Sequence, residues 1–309
     1  MLDMRIDALL PPEMAQKAEY LGVRKAQMAL IPMFTLAVLA GAFIALGAIF
    51  ATTVTAGSSM AVKAVDTTAT FTNLTISMPY GVVRLMTGFV FCLGLILVVV
   101  GGAELFTGNN LIMTAWASGK VSTLSMLRNW GIVYFGNFVG SVATAGMMYL
   151  TKQYTFGGGV VGVATLNIAA TKVNLTFLQA FALGVLCNAL VCLAVWITYS
   201  ARSTVDKIIG IIFPITAFVA AGFEHSIANM YFIPIALFIK TFDAEFAGKS
   251  AAAVQAATKF SLDTLTWKAF LLNNLLPVTL GNIIGGAGLV AIVYWFIYLR
   301  PLKKVKAVK

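Results

Sequence analysis

His225 is the only histidine in the 309-residue chain, and it lies inside a long apolar run next to the carboxylate of Glu224. A second carboxylate, Glu104, interrupts another apolar run. Ionisable side chains in such surroundings are costly and are candidates for function, and histidine changes charge most readily near neutral pH. The pattern predicts reversible protonation of His225 in an apolar surrounding. The alternative is a structural histidine, hydrogen-bonded within the protein.

The two glutamates have a simpler interpretation, which we favour over a direct role in a path. Each carboxylate can cap backbone N–H groups that are left free where a helix is interrupted. Other polar side chains near the two interruptions can satisfy freed backbone groups in the same way, namely Thr107, Ser226, Asn109 and Asn229. If half-helices aim their N-termini at a path, the positive ends of their dipoles favour an anion.

These side chains are embedded in a chain that is 60% hydrophobic and only 10% charged. Soluble domains carry about 25% charged residues, and apolar runs of about 20 residues are typical of membrane-spanning helices. We therefore predict an all-α integral membrane protein with six transmembrane segments. They cover about 30–56, 81–119, 127–151, 176–200, 207–240 and 268–299. A cytoplasmic amphipathic helix is expected within 1–29, starting near Pro11.

The second and fifth segments are too long for one straight crossing, and each contains glycine and polar residues in its middle. We predict a broken helix at each place, around Gly101–Asn109 and Gly222–Asn229. The two interruptions resemble each other, since Glu104 and Asn109 have the same spacing as Glu224 and Asn229.

A second internal similarity links the third and sixth segments. One group of residues recurs 145 positions later: Leu127, Asn129, Gly136, Asn137 and Gly140 match Leu272, Asn274, Gly281, Asn282 and Gly285. The chain therefore reads as a single transmembrane domain of two three-span repeats, 30–151 and 176–299. Because three is odd, the second repeat must be inverted, and proteins built in this way have their transport path at the repeat interface. We expect the glycines to serve close helix packing.

The net charge of +10 is interpreted as orienting the chain in the membrane. Six spans place both termini on one side, together with thirteen of the basic residues, against eight on the other side. Both termini, including the tail 300–309, are therefore predicted to be cytoplasmic, in the inner cell membrane. A nucleic-acid partner is not expected.

Enzyme functions find little support. The three cysteines lie in apolar runs without a CxxC pair, so neither a metal site nor another cofactor is expected. The sequence has no GxSxG elbow and no Walker-type phosphate loop, and the paired Asn-Pro-Ala signature of water channels is absent too. A membrane-embedded enzyme or scaffold subunit remains the alternative from another functional class.

Three segments carry a family resemblance. The stretches 102–108 (GAELFTG), 184–194 (GVLCNALVCLA) and 222–230 (GFEHSIANM) resemble, in this order, signature motifs of the formate/nitrite transporter family. The resemblance implies a homopentamer with an aquaporin-like protomer fold, and a path through each protomer for formate, nitrite or hydrosulfide. Formate is favoured, because 200–203 and 276–282 resemble the formate branch. Channel-like flow and proton-coupled transport both remain open.

The resemblance also implies roles for individual residues. His225 matches the family's central histidine, Thr107 the threonine of a mobile loop, and Asn188 a pore asparagine. Lys172 matches a lysine at the outer mouth, although Asn174 and Leu175 follow it where many formate channels have histidines. The apolar constrictions would be Phe91 and Phe218 on the outer side, and Leu95, Leu105, Phe106 and Val191 on the inner side.

Overall fold

The computed structural model describes residues 8–56, 59–65 and 71–300. This part of the chain is helical except for one hairpin, in which β1 (Ser59–Val65) pairs antiparallel with β2 (Phe71–Ser77). The six predicted segments leave 57–80 without an assigned element, so the hairpin is a new feature. The first seven residues of the predicted N-terminal segment and the tail beyond residue 300 lie outside the described residues.

Helix α1 (Pro11–Ala26) begins, as expected, with proline in its first turn, and basic residues occupy its last turn. Its buried face includes Met14, Ala15 and Ala18, which belong to a small apolar cluster with Leu111 and Trp196. The helix is thus attached to the membrane-embedded part of the protein.

The two predicted interruptions occur in the structure at matching positions. Helix α3 (Tyr80–Gly101) ends at Gly102, which has φ 81°, and α9 (Thr204–Ala221) ends at Gly222, which has φ 80°. This left-handed conformation suits glycine because it has no Cβ atom. Helical structure resumes at Phe106 and Ser226. After the first break it continues as α4 (Phe106–Asn109), a 3₁₀ turn and α5 (Met113–Ala117); after the second it forms α10 (Ser226–Phe242).

The remaining helices complete the two halves. They are α2 (Leu30–Ala56), α6 (Thr123–Leu150), α7 (Val160–Val173), α8 (Phe177–Ser200), α11 (Ala244–Thr258), α12 (Leu276–Ile283) and α13 (Val293–Tyr298). A 3₁₀ segment, Gln153–Gly159, precedes α7. Helices α12 and α13 belong to one continuous helical stretch over 269–298, which includes π-helical turns.

Within the described residues, seven helices are long and apolar enough to cross a membrane, or up to eight if a bent helix pair counts as one span. The stretch Gln153–Val173 is among them, although it is not one of the six predicted segments. Its glycines and scattered polar residues interrupt the apolar run, so the sequence signal for a membrane span is weaker. The six-span inverted topology therefore stays a prediction.

The repeated glycines allow the helices to approach closely, which confirms their expected packing role. A Cβ atom on Gly140 would lie 1.9 Å from the carbonyl oxygen of Val38 on α2. On Gly285, in the other half, it would lie 2.1 Å from the carbonyl oxygen of Val185 on α8. Both helix crossings are so close that a methyl group cannot be added without moving backbone.

Candidate functional site

Two cavities enter the protein from opposite ends of α3. The α1 cavity is lined by residues near the end of α3, by both leucines of the predicted constriction, and by Lys25 and Glu104. The α7 cavity is lined by residues near the start of α3, by the two constriction phenylalanines, and by Lys172, Glu224 and His225. Each cavity therefore contains one lysine and one glutamate, contributed by corresponding elements of the two halves.

Apolar side chains lie between the cavities. The rings of Phe91 and Phe218 meet edge to face with centroids 5.7 Å apart, at the border of the α7 cavity. Leu95 and Leu105 border the α1 cavity and are almost completely buried. An unpaired anion is strongly disfavoured in such a place, so this layer separates the two cavities by an energetic barrier.

His225 lies at this layer with only 3% of its surface exposed. Its Nδ1 accepts a hydrogen bond from the backbone N–H of Ala228 at 3.1 Å, so the ring caps the first turn of α10. Its Nε2 lies 3.0 Å from Oγ1 of Thr107. Since Nδ1 is the acceptor, the neutral ring carries its proton on Nε2 and donates it to Thr107. The ring stacks near Phe218, with centroids 6.0 Å apart.

Thr107 is held from the other side by α8. The amide of Asn188 donates to the carbonyl oxygen of Thr107 at 3.2 Å, and it also contacts Asn110 and the backbone of Asn282. The thiol of Cys192 donates to the same Thr107 carbonyl at 3.3 Å. Asn188 is fully buried. In this structure it positions the threonine and lines neither cavity.

Three other predicted path residues also border neither cavity, namely Thr107, Phe106 and Val191. Val191 is buried in the helix packing. The ring of Phe106 packs edge to face against Tyr134, with centroids 4.9 Å apart, and also contacts Trp130. The structure thus brings Phe91, Leu95, Leu105, Thr107, Phe218 and His225 together between the cavities, and puts Phe106 and Val191 beside them.

A four-residue polar network surrounds the carboxylate in the α1 cavity. Lys25 Nζ donates to Glu104 Oε1 at 2.5 Å, and Asn109 Nδ2 donates to Glu104 Oε2 at 2.7 Å. Asn109 also donates to Oδ1 of Asn129, at 2.9 Å. The amide of Asn129 then donates back to the carbonyl oxygen of Lys25, at 3.0 Å, and closes the network.

The same network occurs in the α7 cavity. Lys172 Nζ donates to Glu224 Oε1 at 2.7 Å, and Asn229 Nδ2 donates to Glu224 Oε2 at 2.7 Å. Asn229 also donates to Asn274 Oδ1 at 2.7 Å, and Asn274 donates to the carbonyl oxygen of Lys172 at 3.0 Å. The four bonds of the first half therefore recur in the second, where Asn274 also donates to Glu224 Oε2 at 3.1 Å. The lysines come from α1 and α7, which lie before the predicted starts of the repeats.

The expectation that the glutamates cap the interrupted helices is wrong. Both oxygens of Glu104 and Glu224 bind lysine and asparagine side chains instead. The freed backbone groups are satisfied by Asn137, whose Oδ1 accepts from the N–H of Phe106 at 2.9 Å. In the other half, Oδ1 of Asn282 accepts from the N–H of Ser226 at 2.9 Å. An amide fits this role because it can accept and donate at once.

The comparisons with known proteins agree with this architecture. A model of the formate/nitrite transporter family matches residues 12–296. The formate channel FocA of Escherichia coli K12 is 42% identical over 298 residues, covering 96% of this chain and 97% of its own. A probable formate transporter of Methanothermobacter thermautotrophicus is 37% identical, covering 94% and 97%. The chain belongs to the formate/nitrite transporter family.

A solved structure of this family has the same fold. A pentameric formate channel with formate bound is 44% identical and matches with a TM-score of 0.73, covering 88% of this chain and 98% of the other. The family resemblance drawn from the sequence motifs is therefore confirmed. The protein is a multi-pass membrane protein of a transporter family.

Two features of the site in this chain were not predicted from the sequence. Asn129, Asn137, Asn274 and Asn282 were recognised as a repeat but were given no role. A buried asparagine that recurs in both halves could have indicated a shared hydrogen-bonding function. Lys25 is one of the thirteen basic residues on the terminal side, and nothing local to α1 indicates a partner that is 79 residues away.

Proposed function

We propose that this protein conducts formate across the cytoplasmic membrane, through one path in each protomer of a homopentamer, and that it is not an enzyme. The path runs from the α7 cavity through the apolar layer to the α1 cavity. The observation that carries the proposal is the buried His225–Thr107 pair, with a 3.0 Å hydrogen bond at the layer between the two cavities. The similarity to formate channels supports formate as the permeating species.

The neutral His225–Thr107 pair can donate a hydrogen bond to an anion without any transfer of a proton. Thr107 accepts the Nε2 proton of His225, which leaves its own hydroxyl hydrogen free to donate to a carboxylate. A formate ion at the layer would exchange part of its hydration for this hydrogen bond. The surrounding phenylalanine and leucine side chains still disfavour the charge, so hydrogen bonding alone leaves a barrier.

Protonation of formate removes the remaining barrier. When His225 takes up a second proton, this proton binds at Nδ1, which then stops accepting from the N–H of Ala228. The imidazolium attracts the formate ion, transfers a proton to its carboxylate oxygen and returns to the neutral ring, while formic acid crosses the layer uncharged. Loss of the Ala228 hydrogen bond in the imidazolium favours return to the neutral form.

The matching networks around Glu104 and Glu224 hold the two interrupted helices in place. We propose that the halves are inverted with respect to the membrane, that both termini are cytoplasmic, and that the whole described chain forms one transmembrane domain. Thirteen basic residues on the terminal side support this orientation. A reporter fused after Lys309 that fluoresces only in the cytoplasm should give signal. Native mass measurement in mild detergent should give a pentamer.

The decisive experiment compares formate uptake into proteoliposomes from pH 5 to 8 for the parent and two variants. His225→Asn keeps a polar side chain but removes the titratable proton, and His225→Phe removes both. We expect His225→Phe to abolish pH-dependent uptake. His225→Asn should leave a weakly pH-dependent and less selective flux. Nitrite and hydrosulfide, assayed in parallel, test the selectivity for formate.

The assembly of each variant is checked first, because His225 also caps α10. A purely structural histidine would cost about 1–3 kcal/mol when its backbone partner is left unpaired, and would lower the yield of intact oligomers. Intact His225→Asn protein with the pH profile of the parent would exclude the proton relay. A parent protein that moves none of the three anions would contradict the proposed function itself.

A further inference from the structure

Arg84, on the first turns of α3, lines the α7 cavity. Its Nε donates to the carbonyl oxygen of Ala220 at 2.9 Å, and its Nη2 donates to that of Val219. These carbonyls end α9 just before the break at Gly222. The side chain is half-buried, and the two contacts fix the guanidinium across the C-terminus of α9, at the rim of the path.

The charge of Arg84 differs in one respect from the other cations of the two cavities. Lys25 and Lys172 are each paired with a buried glutamate, at 2.5 and 2.7 Å. Among the described residues, the hydrogen bonds of Arg84 go to backbone carbonyls alone, and two of its five N–H donors are used. Because these partners are carbonyls and not a carboxylate, three N–H donors and a net positive charge remain available in the α7 cavity.

Arg84 is not repeated in the second half of the chain. Gly102 and Gly222 are equivalent, with an offset of 120 residues, so the counterpart of Arg84 in the second half is Thr204. The lysine–glutamate–asparagine networks are present in both cavities and cannot distinguish them. Arg84 has no cationic counterpart at Thr204, so the two ends of the path differ in charge at this position.

We propose that Arg84 is an anion-capture residue, which binds the carboxylate of formate in the α7 cavity before it reaches His225. The inference rests on the proposed function, because it assigns this residue to substrate recruitment for the same path. A guanidinium can bind a carboxylate through two parallel N–H donors. A cation in a cavity with low-dielectric walls raises the local concentration of anions. Arg84 thus makes the α7 cavity the higher-affinity entrance.

The test measures formate binding and formate flux separately. Binding is followed by line broadening of ¹³C-formate on purified protein in detergent, and flux by uptake into proteoliposomes at limiting and saturating formate. The variants are Arg84→Gln, Arg84→Lys and the control Lys249→Gln. Lys249 is exposed and pairs with Glu245 on α11, so its substitution changes the net charge equally but outside the cavity.

We expect Arg84→Gln to raise the half-saturating formate concentration about three- to tenfold in both assays, with maximum flux within about twofold of the parent. Arg84→Lys should restore most of the affinity, and Lys249→Gln should behave like the parent. Added sodium chloride should raise the half-saturating concentration of the parent more steeply than that of Arg84→Gln.

An unchanged half-saturating concentration in Arg84→Gln, or an equal change in Lys249→Gln, would overturn the inference. A loss of thermal stability alone would leave Arg84 as a cap of α9. If Arg84→Gln does not assemble, the parent alone decides: a half-saturating formate concentration that does not change with added salt would overturn the inference. A parent that binds formate but moves none contradicts the proposed function, while the binding comparison still decides the role of Arg84.

Discussion

Asn137 offers a direct test of how the first interrupted helix is held open. Replacing it with alanine removes three hydrogen bonds at once. The N–H of Phe106 loses its acceptor at 2.9 Å, and the carbonyl oxygens of Ala37 and Glu104 lose donors at 2.7 and 2.9 Å. Asn137 is fully buried, so bulk water does not replace these partners without local opening.

The expected loss of stability can be bounded from two sides. Hydrogen bonds in membrane proteins contribute about 0.6 kcal/mol each on average, which gives about 2 kcal/mol for three. A buried group that stays unpaired costs about 1–3 kcal/mol, so the loss rises to as much as about 5 kcal/mol when one of the three groups in the Asn137→Ala variant remains without a partner. We therefore expect a loss of about 2–5 kcal/mol, which corresponds to a melting temperature lower by about 5 °C or more.

The assay is thermal melting of the purified oligomer, followed by the fraction that stays in the assembled peak on size exclusion. Asn282→Ala should give a similar loss, because Asn282 makes the equivalent three bonds in the second half. Asn167→Ala is the matched control. Its Oδ1 is buried without a hydrogen-bond partner among the described residues, so its removal should change little. Asn137→Ala protein that melts within about 1 °C of the parent would refute the reasoning.

Three further predictions follow from single contacts. Gly140→Ala should disrupt assembly, because its Cβ would lie 1.9 Å from the carbonyl oxygen of Val38, and the oligomer peak should be lost. Gly131→Ala is the control, because a Cβ atom at Gly131 would meet open space. Glu224→Gln should destabilise the oligomer by about 3–5 kcal/mol by leaving the Lys172 ammonium unpaired, and a parent-like melting curve would contradict this. Asp243 lies at the corner after α10, and its pKa is lowered mainly by the hydrogen bond that the hydroxyl of Tyr154 donates to it. Its contribution to stability is therefore present above its ordinary pKa and is lost as the pH falls through the lowered value. Protection of the α11 amides against hydrogen exchange, corrected for the intrinsic exchange rate at each pH, should therefore fall in acid, and the Asp243→Asn variant should show less of this change.

The sequence determined the class of the protein and where its helices break. Long apolar runs can be covered only by lipid or by other helices, and this property is local to each run. Glycines at 102 and 222 stop the helices because only glycine adopts their left-handed conformation without strain. The chemistry-bearing residues could also be found from the sequence, since ionisable side chains are rare in such runs. The short helix α7 and the hairpin were not found, because their mixed composition carries weak periodic signals.

The partners of these residues were decided by the tertiary structure. His225 and Thr107 are 118 residues apart, and Lys25 and Glu104 are 79 apart, so no local pattern connects them. For the same reason the sequence assigned the backbone caps to the nearby glutamates, whereas the folded chain supplies asparagines from α6 and α12. A buried polar group binds whichever complementary atom the packing brings within about 3 Å. The residue types set what chemistry is available, and the packing of the two halves sets which atoms meet.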